Sequence, residues 1–279
     1  MRTLTPLLLT IATTTTTACV EDVPDDAELA STEQAIYGRS IWTWSTTNAA
    51  PYDLMSDANR TCFLSGVAGD LNSGDEWHDG ERAAVRVYRD GGRYWIESDS
   101  GRWDDGTKAG NKVKIHATCI GTVKNRIEGY WRSDDPPKLL GAVTPQRQCF
   151  LSGVFGAGGT WIHDSDEVRV KKIDGNWYLT GTVPRSDVHG NHAGASAVCV
   201  DLPEGTTVET YALPAGSFPA TIPVGYDDNG RGCGLTGIRG KFNVSSWTNG
   251  VMLDWPSPAP GDWTFTASPY KMGFATCVE

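Results

Sequence analysis

The chain has 279 residues with a formal net charge of −10, and carries 39% apolar residues, 32 Gly and 11 Trp. That charge argues against a nucleic-acid partner, whose phosphates ask for a basic stripe. Beyond the N-terminal segment no run repeats apolar residues at i, i+3, i+4 and i+7, and Gly, Trp and Thr replace long helix formers, so the expected class is all-β.

The chain starts with Met1-Arg2, an apolar run over Leu4 to Ala12 and a Thr13–Thr17 tract. Residues 1–18 have the form of a signal peptide, too short to span a membrane. Residues 19–38 follow as an acidic, flexible spacer. Glu21, Asp22, Asp25, Asp26, Glu28 and Glu33 fall there, with no Lys or Arg between Arg2 and Arg39. Such a segment cannot bury enough surface to order itself. The ending Thr16-Thr17-Ala18-Cys19 resembles the lipobox of bacterial lipoproteins, a resemblance confined to this end of the chain. It implies a lipid on Cys19 and contact with a membrane only through that anchor. A signal-peptidase cut after Ala18 would instead leave Cys19 free and the protein secreted. The expected location is the outer surface or periplasm of a bacterial envelope.

The rest is one unit written three times, over residues 39–124, 125–206 and 207–279. Cys62-Phe63-Leu64-Ser65-Gly66-Val67 returns as Cys149-Phe150-Leu151-Ser152-Gly153-Val154, and then as Cys233-Gly234-Leu235-Thr236-Gly237-Ile238. Six of the seven cysteines fall two to a unit, one in this stretch and one near the unit's end. Six cysteines allow 15 pairings, but repetition selects the same bond in every unit. The expected disulfides are Cys62–Cys119, Cys149–Cys199 and Cys233–Cys277. No Cys-x-x-Cys spacing occurs, so no metal is expected.

Each unit reads as about five strands. An aromatic strand comes first (Ile41–Trp44, Ile127–Trp131, Val208–Tyr211). A Pro-containing connection follows, with Pro51, then Pro136-Pro137, then Pro214, Pro219 and Pro223. The cysteine stretch is the second strand, preceded each time by an arginine: Arg60, Arg147 and Arg231. Third and fourth strands flank the turns at Asp90-Gly91-Gly92, Asp174-Gly175-Asn176 and Pro260-Gly261-Asp262, the first two carrying the Asp-Gly hairpin signal. Tyr94, Trp177 and Trp263 on the fourth strand are expected in the core. The fifth strand bears the closing cysteine. Only a few residues separate it from the next unit, a hairpin length. The last strand of one unit is therefore expected to pair with the first strand of the next, and the two end strands with each other. That would make one closed pseudo-threefold array. The alternative is three tandem β-sandwich modules.

Enzyme motifs are absent or incomplete. Asp99-Ser100-Gly101 and His116-Ala117-Thr118-Cys119 are similar to pieces of chymotrypsin-like proteases but stand in the wrong order, so His116 is expected to be structural. Asp70-Leu71-Asn72-Ser73-Gly74-Asp75 offers oxygen ligands without the glycine of an EF-hand. The notable pattern lies in the loop after the second strand, with Trp77-His78-Asp79, Trp161, His163 and Asp164, and Trp247 with Asn249. A ring beside polar groups suits a sugar face, and the competing role is local core. The expectation is a non-enzymatic, exported binding module, lectin-like or adhesin-like, for a glycan or cell-envelope component, without cofactor. A structural envelope lipoprotein without a small ligand is the second expectation, and a secreted hydrolase the third.

Overall fold

The computed structural model describes residues 39–45, 52–72, 83–100, 113–185, 192–227, 230–246, 248–254 and 261–279. The segments expected to be a signal peptide and a spacer, with Cys19, and the residues Trp77, His78, Asp79 and Trp247 lie outside the described residues. Among the described residues the protein is all-β, with no helix.

Each unit supplies six strands. The first has β1 (Arg39–Ser45), β2 (Tyr52–Ser56), β3 (Arg60–Gly69), β4 (Ala83–Asp90), β5 (Arg93–Ser100) and β6 (Val113–Gly121). The second has β7 (Lys124–Arg132), β8 (Lys138–Ala142), β9 (Arg147–Gly156), β10 (Glu167–Ile173), β11 (Asn176–Gly181) and β12 (Gly194–Asp201). The third has β13 (Val208–Leu213), β14 (Ala220–Asp227), β15 (Gly232–Arg239), β16 (Gly250–Asp254), β17 (Gly261–Ala267) and β18 (Met272–Val278).

The sixth strand of each unit lies in the segment expected to be a connection. β2, β8 and β14 are all edge strands, and β14 includes Pro223. An edge position leaves one side of the strand without a ladder partner, so a missing N–H there costs no sheet hydrogen bond.

The strands form three open antiparallel sheets, in the orders β1-β6-β3-β16-β17-β14, β13-β18-β15-β10-β11-β8 and β2-β5-β4-β9-β12-β7. None closes on itself, so the expected closed array does not form. The last strand of each unit pairs with the first strand of its own unit: β6 with β1, β12 with β7 and β18 with β13. The joint from β6 to β7 is Thr122 and Val123; Thr122 has φ 58°, and Asn125 at the start of β7 has φ 49°. The chain leaves one sheet there and enters another, because β7 pairs with β12 and not with β6.

The tandem-module alternative fails as well. Each sheet joins three strands of one unit to three of another, so each unit shares sheets with both others. One large core draws buried residues from all three units. Tyr94, Trp177 and Trp263 are buried in it, as expected. In β10, Val168 and Val170 are buried while Glu167, Arg169 and Lys171 between and beside them are half-buried, the alternation a half-buried strand requires.

The three disulfides pair as expected. Each joins directly opposed residues of neighbouring strands, with Cα atoms 3.9 to 4.0 Å apart. Three buried disulfides point to an oxidising, extracytoplasmic setting. No helix among the described residues is long and apolar enough to cross a membrane.

Candidate functional site

The repeated Ser-Gly of the cysteine stretch occupies one particular place in all three sheets. The register of β3 against β6 shifts between Leu64 and Gly66, and that of β15 against β18 between Leu235 and Gly237. In β9 the shift leaves Ser152 between Leu151 and Gly153. Ser65, Ser152 and Thr236 are thus the extra residues of three equivalent bulges, devices that bend a strand. The glycine after each bulge makes the last ladder pair with the neighbouring unit: Met252 with Gly66, Arg86 with Gly153, and Arg169 with Gly237. Beyond that pair the two strands part. Each sheet therefore has a fork at the seam between two units. A Cβ on Gly66 or Gly237 would lie 2.7 Å from its ladder partner, at the Met252 sulfur or Arg169 Cγ, and one on Gly153 would lie 2.6 Å from the Ser196 hydroxyl.

Two forks are filled from within. At the first, His116 on β6 reaches across to Asp254 on β16, with Nδ1 and Oδ1 3.4 Å apart, and Met252 packs over Gly66. Burial lowers the His116 pKa to about 4, with Lys114 acting in the same sense and Asp254 in the opposite one. At the third, the Arg169 guanidinium lies 3.6 Å above the ring of Phe274 on β18. Burial holds its pKa below the ordinary arginine value.

The second fork is open. The residue equivalent to His116 and Phe274, three before the closing cysteine, is Ser196. Its hydroxyl accepts a 2.9 Å bond from the Ser152 hydroxyl. Arg86 turns away to Glu97, donating from Nε at 2.8 Å, and lies 4.6 Å above the Tyr88 ring. A cavity of about 590 Å³ remains. Its lining includes Ser152, Gly153 and Ser196, with the buried Val87, Tyr94 and Cys62. Tyr88, Arg86 and Glu97 form one wall, and Glu128, Tyr130 and Phe155 the other. Tyr130 and Phe155 stack with centroids 5.2 Å apart and planes at 6°, and Tyr130 is 47% exposed. Burial, followed by the Glu97 carboxylate, raises the Tyr88 pKa. The cleft thus combines aromatic faces, two hydroxyls and groups of both charges, a set able to hold a ligand with apolar and hydrogen-bonding faces.

The loop residues expected from the sequence do not form this cleft. Trp161 is fully buried, donates from Nε1 to the Phe155 carbonyl at 3.1 Å, and meets Phe242 edge-on at 5.5 Å. It presents no ring to a ligand and is core. Leu71 and Phe242 from the corresponding loops of the other units are equally buried, and the Leu71 amide donates to the Phe242 carbonyl at 2.6 Å. The three loops therefore interlock. His163 and Asp164 are exposed at the rim of this region. Asn249 accepts a 2.6 Å bond from Lys271, whose pKa burial lowers to about 8, while Asp164 acts to raise it. Asp70 accepts from the Asn72 amide at 2.9 Å, and burial raises its pKa; Ser73, Gly74 and Asp75 of the same stretch lie outside the described residues. Among the described residues no cluster of His, Cys, Asp and Glu could hold a metal.

Sequence reasoning passed over Arg86, Glu97, Glu128, Tyr130, Phe155, Ser152 and Ser196. One signal was present: a serine three residues before the closing cysteine, where the other two units carry a ring. The chain matches no protein-family model and no curated protein.

Proposed function

We propose that the protein is an exported binding module, held at the envelope by a lipid on Cys19 and carried clear of it by the acidic spacer. Its ligand site is the open fork between β4 and β9, and the ligand is a carbohydrate or another envelope component with a comparable mix of apolar and hydroxyl faces. One observation carries this proposal: of three equivalent forks, two are plugged by the protein's own side chains and the third is left empty by Ser196. A fold that needed only stability gains nothing from that exception, because filling an apolar-lined gap adds contacts. The aromatic walls supply area, while Arg86, Glu97, Glu128 and the two serine hydroxyls fix orientation.

The test is a glycan and cell-wall-polymer binding screen on the full chain, followed by titration calorimetry on whichever ligand is found. Ser196→Phe copies the plug at the third fork and should abolish binding with thermal stability kept. Tyr130→Ala should weaken it by about tenfold or more. Equal binding by wild type and Ser196→Phe would remove the cleft from the function. A screen without any binder would favour the structural, ligand-free role.

A further inference from the structure

The arginine before each opening cysteine shows a second break in the threefold pattern. In the second unit Arg147 pairs with Asp201, two residues after the closing cysteine, through bonds of 2.8 and 3.1 Å. Asn125 adds a 2.8 Å bond to the same carboxylate. In the third unit Arg231 binds Glu279, again two residues after the closing cysteine, at 3.1 Å, and also Glu209. Glu209 stands opposite Cys277 in the ladder. The guanidinium-bearing side chains are drawn in, 14% and 5% exposed.

In the first unit both acids are missing. The position two after the closing cysteine is Gly121, directly opposite Arg60 in the ladder. The position opposite Cys119, matching Glu209, is Arg39. Arg60 is exposed, and among the described residues no carboxylate pairs with it. Among the described residues its side chain bonds to the Met55 sulfur at 3.8 Å. Where the acid would sit there is a cavity of about 470 Å³, lined by Met55, Ala58, Arg60, Ile120, Gly121 and Thr122, among others.

We propose that this cavity binds a small carboxylate carrying a short apolar chain. The carboxylate takes the place that Asp201 and Glu279 fill in the other units, in charge-assisted bonds from Arg60, and the chain lies against Met55 and Ala58. Arginine suits this role because its planar fork meets both carboxylate oxygens, as Arg147 already does with Asp201. This site does not depend on the open fork or on its ligand.

The experiment titrates hexanoate, with hexanamide as the neutral control, into the full chain and follows binding by calorimetry and by the NMR signal of the Arg60 side chain. Wild type should bind hexanoate and not hexanamide, and Arg60→Gln should lose about tenfold or more in affinity. Gly121→Asp supplies the carboxylate internally. A Cβ on Gly121 meets nothing within 4 Å, so the variant has room to fold. It should keep or raise the melting temperature and abolish hexanoate binding. Absence of hexanoate binding to wild type, equal binding of hexanamide, or undiminished binding by either variant would overturn the proposal.

Discussion

Phe63 lies flat on Phe150, with ring centroids 4.0 Å apart and planes 11° from parallel. Each is the residue after an opening cysteine, on β3 and β9, and the corresponding residue on β15 is Gly234. A Cβ on Gly234 would stand 2.3 Å from Phe63 and 2.8 Å from Phe150. The three strands meet there around a small second core that also holds Ile120, Val198, Val200 and Val278. Two rings fill a space that three units share, so the third unit contributes none. The altered spelling of the third cysteine stretch is thus a packing requirement.

Gly234→Ala should therefore destabilise the protein by about 1–3 kcal/mol, the usual cost of overpacking a tight core. In a Phe63→Ala background the same change should cost much less, because the ring it strikes is gone. Urea unfolding of the two single variants and the double variant measures this coupling. An uncoupled pair would mean that the rings and the glycine do not share one space.

Trp161→Ala should behave as a core deletion, not as the loss of a binding residue. Its ring is fully buried among interlocked loops, and removing such a ring costs about 3–5 kcal/mol. The expected result is a large fall in melting temperature, with binding at the open fork retained at temperatures where the variant is folded. A selective loss of binding with unchanged stability would return Trp161 to a surface role.

The disulfides were legible because repetition reduced many pairings to one, and strand ladders then place each pair face to face. The sheet assignments were not. A hairpin such as β10–β11 has the same sequence whether it joins its own unit's β9 or the next unit's β15, and the observed partner is β15. Nothing in the alternation of Val168 and Val170 distinguishes the two. The β6–β7 joint looked like a hairpin by length, yet the positive φ of Thr122 is a local backbone choice that threonine does not announce. Among the site residues, Ser196 was visible only once the three units were aligned on their closing cysteines. Its meaning needed the fork, which register alone creates.

Removal of single disulfides should show how evenly the units share stability. The bonds span 57, 50 and 44 residues. Loop-closure entropy gives each a contribution of roughly 4 kcal/mol, and the spread from loop length alone is about 0.2 kcal/mol. The paired variants Cys62→Ala with Cys119→Ala, Cys149→Ala with Cys199→Ala, and Cys233→Ala with Cys277→Ala should thus lose similar amounts in urea unfolding. A much smaller loss for one pair would show that its unit is already pinned by packing in the unfolded-state reference or in the core.

His116 should make the protein acid-sensitive in a defined window. Burial lowers its pKa in the fold to about 4, against an ordinary value of 6.5. The folded state therefore binds this proton less readily than the unfolded state does. Its contribution is fully present above about pH 6.5, is lost as the pH falls towards 4, and changes no further below that. The total is on the order of 3 kcal/mol. Other carboxylates titrate in the same range, so the comparison must be with a variant that lacks only this group. His116→Phe copies the ring that Phe274 places at the third fork and cannot take up a proton. Melting temperatures of wild type and variant, measured between pH 7.5 and 4, should converge or cross as the pH falls, with wild type losing more. Parallel curves would show that the buried imidazole does not control acid stability.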